Sequence, residues 1–214
     1  MAKPDTDDEF TPKRRPQLMG PAAQAKALAD ATAKLAARRQ RDALPHRIET
    51  PRLVLRAPIR GDVPEIVKLA DNANIYGVLA RLPHPYTRAD GIAFVEIFAQ
   101  RPDERPFAIT LNDHFIGVVG FSFHPGEVPE IGYWLGEPHW GKGFMSEAVK
   151  GLLEAAFATG LFPALQARAL AGNAGSLNVL AKAGFKRVGE AIDTHAHNAG
   201  KPVVLLKLEQ PKWM

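Results

Sequence analysis

The segment from residue 130 to residue 148 carries the residue pattern with the clearest chemical meaning. It combines a short alternating stretch, a glycine-rich turn and a strongly amphipathic stretch. Gly141 and Gly143 allow the backbone to approach a ligand closely, because glycine adopts conformations that other residues avoid. A helix that starts after this turn adds unpaired N–H groups and a positive dipole end. The pattern predicts an anion site suited to phosphate or pyrophosphate, and a plain strand-to-helix turn is the alternative.

A second phosphate-binding pattern, the nucleotide P-loop, overlaps the same segment. Residues 136–142 match the first seven positions of G-x-x-x-x-G-K-[ST], but the eighth position is Gly143. A P-loop needs Ser or Thr there, because that hydroxyl binds magnesium. The sequence therefore argues against an NTPase.

Helices and strands alternate along the chain from His46 onward. Thr87 with Asp90, and Asp62 with Glu65, are typical of capped helix starts. Hydrophobic periodicity predicts helices over 62–70, 87–100, 143–160 and 175–183. It predicts strands over 48–57, 106–111, 115–124, 128–135, 165–170, 185–189 and 202–208. This order predicts an α+β domain with a meander of antiparallel strands.

Residues 1–45 differ in composition from the rest of the chain. The first 21 residues hold acidic and basic clusters and several prolines, a composition typical of disorder. Residues 22–43 are rich in Ala, Lys and Arg, which favour helix. Such a helix has a thin apolar stripe and needs a partner for stability. We therefore expect a flexible or weakly helical arm over 1–45 and a folded domain over 46–214.

Composition excludes several classes of function. The 214 residues include no cysteine, which excludes disulfides, thiolate metal sites and a cysteine nucleophile. Of the net charge of +4, the nine Lys or Arg and six Asp or Glu of residues 1–45 supply +3. The remaining domain is nearly neutral, so nucleic acid is not an expected partner. No apolar run approaches the roughly 20 residues of a membrane span, and no secretory signal is visible, so we expect a cytoplasmic protein without a membrane partner.

Four short motifs occur in a fixed order between residues 46 and 210. They are ETPRLVLR at 49–56, EIGYWL at 130–135, HWGKGFMSEA at 139–148, and NAGS at 173–176 followed by Gly184-Phe185. Together they resemble the GCN5-related N-acetyltransferase (GNAT) superfamily, particularly the branch with the bacterial ribosomal-protein N-terminal acetyltransferases. Pro138 departs from the Gln or Arg that begins the family's Gln/Arg-x-x-Gly-x-Gly/Ala motif, whereas Gly141 and Gly143 match it.

The resemblance implies the GNAT fold, a mixed and mostly antiparallel central sheet that is splayed at the cofactor strand and flanked by helices. It implies acetyl-coenzyme A (acetyl-CoA) as co-substrate, with its pyrophosphate on the amides of residues 140–145. The pantetheine arm would lie in a splay between residues 130–135 and 165–170. The implied cofactor-binding residues are Tyr133, Trp134, Leu135, Trp140, Gly141, Lys142, Gly143, Phe144, Met145, Asn173 and Ser176.

Direct transfer of an acetyl group to an amine requires a proton acceptor and a donor for the leaving thiolate. Glu130, at the start of the implied cofactor strand, is the best candidate base, and a surface carboxylate is the alternative reading. His195 and His197 compete for this role, because histidine titrates near neutrality. Ser176 is the candidate acid that NAGS suggests, and a helix N-cap is its alternative role. We expect no metal.

The acceptor side is less defined by the sequence. Tyr76 and Tyr86 lie where the resemblance implies an acceptor wall. The expected acceptor is a primary amine, either of a protein N-terminus or of a small molecule. A non-catalytic acyl-CoA-binding sensor module on the same fold is the alternative, and the resemblance also allows a homodimer.

Overall fold

The computed structural model describes residues 20–210, which form one eight-stranded sheet flanked by helices. The strands are β1 (Arg47–Glu49), β2 (Val54–Arg56), β3 (Glu104–Leu111), β4 (His114–Ser122), β5 (Glu130–Leu135), β6 (Ala164–Leu170), β7 (Lys186–Ile192) and β8 (Pro202–Glu209). The helices are α1 (Pro21–Ala43), α2 (Val63–Ala70), α3 (Ala73–Tyr76), α4 (Arg88–Glu96), α5 (Phe144–Ala158) and α6 (Ala174–Lys182). The predicted α+β class is confirmed.

The sheet order is β1-β2-β3-β4-β5-β6-β8-β7, and its pairs are antiparallel except for β5 with β6. These two parallel strands share a single register pair, Glu130 with Gln166, in the described part of the chain. The Gln166 N–H also donates to the Pro129 carbonyl at 2.9 Å. Beyond this point the strands diverge, while the other edge of β5 stays paired with β4 over 117–122. The predicted splay at the 130–135 strand is confirmed.

Two apolar layers cover the two faces of the sheet. On one face α5 buries Val149, Leu152 and Ala156 against the strands, as its helical periodicity predicts. On the other face α2 and α4 form a smaller cluster with Val118 and Trp134. Because side chains alternate along β5, Ile131 and Leu135 face α5 whereas Trp134 faces α2 and α4.

The prediction of one continuous strand over 48–57 was wrong. The chain makes a short antiparallel hairpin, with Ile48 opposite Leu55. Between the strands, the Thr50 N–H donates to the Leu53 carbonyl at 2.9 Å, and the Leu53 N–H donates to Thr50 Oγ1 at 3.1 Å. Pro51 favours the turn, because proline has no N–H to continue a strand ladder.

One of the two predicted capping boxes forms. The Asp90 carboxylate accepts from the Thr87 N–H at 2.8 Å, and Thr87 accepts in return from the Asp90 N–H. Asp62 does not cap α2 with its side chain. Its carboxylate instead accepts two hydrogen bonds of 2.7 Å from Arg56 and one from the Ile59 N–H, because a guanidinium pairs with both carboxylate oxygens.

Helix α1 contacts the domain through its last turns. Gln40 Nε2 donates to the Leu161 carbonyl at 2.8 Å, and Arg41 Nε donates to the Glu104 carbonyl at 3.0 Å. Leu28 and Leu35 stay 70% and 68% exposed. The disorder predicted for the first 21 residues falls almost wholly outside the described residues. No helix within residues 20–210 has the length and apolarity to cross a membrane.

The close strand contacts around β4 predict a stability effect. A Cβ on Gly120 would lie 2.6 Å from the Arg105 carbonyl oxygen and 2.7 Å from the Pro106 Cα, so the backbone would have to move. We expect Gly120→Ala to lower the free energy of unfolding by about 1–3 kcal/mol, measured by urea denaturation. Gly189→Ala is the control, because its Cβ would meet only Leu205 Cδ1 at 3.8 Å. Equal midpoints for both variants would contradict the expectation.

Candidate active site

A cleft of about 1330 Å³ opens along the diverging edge of β5. One part, here called the glycine wing, is lined by Gly141, Gly143, Met145, Asn173 and Ser176. The other part, the aromatic wing, is lined by Leu82, Tyr86, Phe94, Phe98 and Glu104. Pockets for one drug-sized ligand measure about 300–1,000 Å³, so this cleft exceeds the volume that one such ligand needs.

The glycine turn has the backbone geometry of an anion site. Gly141 and Gly143 have φ values of +73° and +80°, and Gly143 is the N-cap of α5. A Cβ on Gly141 would meet no atom within 4 Å, so space rather than a neighbour lies beside this backbone. The first N–H groups of the fifteen-residue helix have no partner within the helix. These groups and the helix dipole favour an anion at the glycine wing.

Two contacts hold the turn in place. Trp140 Nε1 donates to the Leu135 carbonyl at 2.6 Å, which ties the turn to the end of β5. Lys142 Nζ donates to the Pro138 carbonyl at 2.8 Å and is exposed. Lys142 does not line the cleft, whereas every other residue that the resemblance assigned to the cofactor does. The Lys142 side chain therefore binds within its own turn.

An ion pair that sequence reasoning missed fixes the start of α5. Glu147 accepts from Arg52 Nε at 2.6 Å, from the Arg52 N–H at 2.8 Å and from Thr50 Oγ1 at 2.7 Å. Burial raises the pKa of Glu147, but these hydrogen bonds outweigh it and hold the pKa below its ordinary value. The Arg52 guanidinium also lies 4.5 Å from the Phe144 ring centroid. Both partners stood in the recognised motifs, but nothing local linked residue 52 to residue 147.

Tyr133, Ser176 and Asn173 form a hydrogen-bonded group at the glycine wing. The Tyr133 hydroxyl lies 3.0 Å from Ser176 Oγ and 3.1 Å from the Ser176 carbonyl. Asn173 is the N-cap of α6, accepting from the Ser176 N–H at 3.0 Å. The alternative in which Ser176 caps this helix was therefore wrong, because Asn173 occupies the N-cap position and Ser176 is the third residue of α6. Burial raises the pKa of Tyr133 to about 12 despite its bond with Ser176, so the phenol stays protonated.

Two of the three candidate bases, Glu130 and His195, line the cleft. The Glu130 side chain is 29% exposed and lies 3.5 Å from Arg168 Nε. His195 Nδ1 lies 2.9 Å from the Asp193 carboxylate, which also accepts from the His195 N–H. Burial acts to raise the pKa of Asp193, but the bonds from His195 hold it low. Because an ionised carboxylate only accepts, it favours the proton on Nδ1 and leaves Nε2 as an acceptor.

The two tyrosines expected on the acceptor wall have separate places. Tyr86 is buried in the aromatic wing, and burial with the nearby Asp90 charge raises its pKa to about 12. Tyr76 is not among the residues that line the cleft, although its neighbour Ile75 is. The centroid of its ring lies 3.8 Å from that of His197 and 5.2 Å from that of His84, with both pairs stacked. His197 is thereby committed to packing.

Glu104 is a cleft residue that the sequence analysis missed. Its side chain is only 7% exposed, and it accepts from Ser122 Oγ at 2.8 Å. Burial raises the pKa of Glu104, with partial opposition from Ser122 and Arg81. The predicted strand began two residues later, at Pro106, and so did not include Glu104. An acidic residue at the start of an apolar strand is the sequence feature that could have identified it. No group of three metal-binding side chains within residues 20–210 could hold an ion.

Comparison with known proteins gives one family match and partial sequence relatives. A family model described as the acetyltransferase (GNAT) domain matches residues 52–186, more than half of the chain. The "Uncharacterized N-acetyltransferase p20" of Bacillus licheniformis is 38% identical over 80 residues. That match covers 36% of this chain and 45% of the relative, so the chain spans less than half the relative's length.

Solved structures share the fold. The ribosomal L7/L12 alpha-N-protein acetyltransferase RimL, in complex with coenzyme A, matches with a TM-score of 0.68 and 21% identity, covering 76% of this chain and 97% of that one. A spermidine N-acetyltransferase from Vibrio cholerae, in complex with CoA and spermine, matches with a TM-score of 0.64 and 21% identity, covering 76% and 98%. At this identity the likeness concerns the fold alone.

The two high tyrosine pKa values predict how stability depends on pH. Because the pKa of Tyr133 and of Tyr86 is about 12 in the folded chain, and about 10 is ordinary for tyrosine, the folded state binds more protons between these values. Stability is therefore full below pH 10 and falls as pH rises toward 12, on the order of 2 kcal/mol for each tyrosine.

The measurement is urea denaturation across this pH range, in parallel with the ultraviolet absorbance of phenolate. Tyr133→Phe and Tyr86→Phe should each remove part of the alkaline loss, because phenylalanine does not titrate. A loss of the same size in the double variant would contradict the assignment.

Proposed function

The chain belongs to the GNAT acetyltransferase family, and from this premise we propose that it transfers an acetyl group from acetyl-CoA to a primary amine. The observation that carries the proposal is the open edge of β5, which runs from the splay beside Gln166 toward the glycine turn before α5. A ligand with an extended arm and an anionic group could bind along this edge, with the arm beside β5 and the anion at the glycine turn.

The residues present fit acetyl-CoA. The amides after Gly141 and Gly143 suit the pyrophosphate, since they combine close backbone approach with a helix N-terminus. The open backbone of β5 suits the amides of the pantetheine arm, which would bind as an added strand does. Tyr133, Ser176 and Asn173 would surround the thioester end of the arm. When bound, acetyl-CoA supplies a thioester, whose carbonyl carbon reacts with amines.

In the proposed reaction, Glu130 accepts a proton as the amine nitrogen forms its bond to the acetyl carbon and the carbon–sulfur bond breaks. Glu130 has the place for this role, because its side chain lines the cleft at the point where β5 leaves β6. The Ser176 hydroxyl, held beside the protonated Tyr133, would donate a hydrogen bond to the leaving thiolate. His195, oriented by Asp193, is the rival base.

The proposed acceptor is a primary amine, of a protein N-terminus or of a small molecule. RimL is described as an alpha-N-protein acetyltransferase, and the Vibrio cholerae enzyme as a spermidine N-acetyltransferase. The proposed enzyme works in the cytoplasm, alone or as a homodimer.

The glycine turn gives a matched test of the cofactor site. Gly141 and Gly160 both have positive φ, +73° and +70°, and a Cβ on either would meet no atom within 4 Å. Alanine at either position should destabilise the fold by about 1 kcal/mol through the backbone alone. Only Gly141→Ala should weaken acetyl-CoA binding, by about tenfold, because Gly160 lies at the far end of α5.

Calorimetric titration measures this effect, with plain coenzyme A and ATP as comparison ligands. A dissociation constant near 1 μM, about −8 kcal/mol, is expected for acetyl-CoA with the unmodified chain. A free-thiol assay with amines and peptides then measures turnover. Equal affinity in both glycine variants would remove the turn from the site, and tight binding without thiol release would favour the sensor module.

The two candidate bases are separated by kinetics. Glu130→Gln should lower kcat by about a hundredfold or more with acetyl-CoA affinity unchanged, since the amide cannot accept the proton. His195→Gln should have a much smaller effect. Glu154→Gln, an exposed change on α5, is the control. If His195→Gln gives the larger loss and Glu130→Gln is near normal, the roles are reversed.

A further inference from the structure

Three residues form a straight row across the strands that floor the aromatic wing. Glu104 on β3 pairs with Ser122 on β4, and Ser122 pairs with Glu130 on β5. Residues directly opposite each other in adjacent strands project from the same face of the sheet. Neighbouring strands lie about 4.8 Å apart, so the two carboxyl-bearing residues are roughly 10 Å apart along this row.

The Glu104 carboxylate has few partners for a group so deeply buried. Within residues 20–210, Ser122 Oγ donates its one short hydrogen bond, at 2.8 Å. Arg81 approaches no closer than 3.5 Å, and its side chain is 61% exposed at the rim of the cleft. An ionised carboxylate offers about four acceptor positions, so Glu104 has capacity for further donors from the cavity. Burial disfavours its charged form, and an incoming cation would restore it.

The surroundings of Glu104 suit an apolar linker that ends in a cation. Phe94 and Phe98 stack at 5.7 Å between centroids, and Leu82 lines the same wing. Such a wall contacts methylene groups well, but its apolar side chains offer no hydrogen-bond acceptor to a charged nitrogen. The cation would therefore find its acceptor at Glu104.

We propose that Glu104 binds a second cationic group of the acceptor, an amino or guanidino group roughly 10 Å from the amine that is acetylated at Glu130. This inference rests on the proposed function and narrows its substrate class to acceptors with two cationic nitrogens. Ser122 is the positioning residue, since its hydroxyl fixes one carboxylate oxygen.

The proposal predicts that substitutions of Glu104 and of Arg81 change KM in opposite directions. In the free chain Arg81 is a cation close to Glu104, so it competes with the cationic group of a bound acceptor for that carboxylate. Glu104→Gln should raise KM for two-cation acceptors, whereas Arg81→Gln should lower it. If Glu104 and Arg81 only closed a structural contact, both variants would change KM in the same direction and for every acceptor.

The experiment uses the full chain and the free-thiol assay with α,ω-diamines of increasing length, and alkyl monoamines of equal length as controls. Peptides with lysine or norleucine at the second position form the other arm, which distinguishes a protein acceptor from a small one. Glu104→Gln should raise KM by about tenfold for the diamines or for the lysine peptide, and leave the matched controls unchanged. An unchanged ratio between two-cation and one-cation acceptors would overturn the proposal.

A second variant with a shorter carboxylate keeps the test possible if Glu104→Gln does not fold. Glu104→Asp keeps the charge and should move the preferred diamine to a longer chain. Calorimetry with the same amines decides the point without turnover, so an inactive enzyme would refute the proposed function and leave the Glu104 test intact. Equal diamine affinity in the unmodified chain and in both variants would overturn the inference.

Discussion

The divergence of β6 from β5 is the constraint on which the rest of the site depends. Strand β5 is fully paired with β4 on one edge, but its other edge loses its partner after the Glu130–Gln166 pair. Backbone N–H and C=O groups without partners are costly in a protein interior, so this edge favours a ligand with amide groups of its own. The open edge also sets the meeting point of the two wings, because both faces of the sheet become accessible where the strands separate.

The parts of the site that bear on this edge are held by contacts from distant segments. The β1–β2 turn fixes the first turn of α5 through Arg52 and Glu147, while Tyr133 ties β5 to α6 through Ser176. Each contact joins a strand or turn to the start of a helix. The positive ends of α5 and α6 therefore keep their orientation toward the cleft.

Local sequence signals predicted the local parts of this arrangement. The glycine turn, the apolar face of α5 and the Thr87–Asp90 capping box each depend on residues within a few positions of one another, and the structure contains all three. The shape of the sheet and its splay came from the family resemblance. Periodicity misread the β1–β2 hairpin, since the strand predicted from Leu53 and Leu55 was extended back through Pro51 to Ile48, which is out of phase with them.

The remaining differences from expectation concern side chains whose partners lie outside their own local motif. Asp62 occupies a capping position, but its carboxylate binds the Arg56 guanidinium. Tyr76 was expected on the acceptor wall, but its ring stacks on His197. The place of Glu104 in the site follows only from the strand register, which pairs it with Ser122. Pairings of this kind depend on strand register and loop path, which one sequence does not specify.

The attachment of α1 by its last turns gives this helix an uneven local stability. Its first four turns bury no residue and leave Leu28 and Leu35 largely in solvent, so no buried apolar side chain holds them to the domain. The final turn is different, because Arg41 binds the carbonyl of Glu104 at the head of β3. Amide hydrogen exchange along α1 should therefore slow from its beginning toward its end, and the slowest amides should report on the strand that floors the aromatic wing.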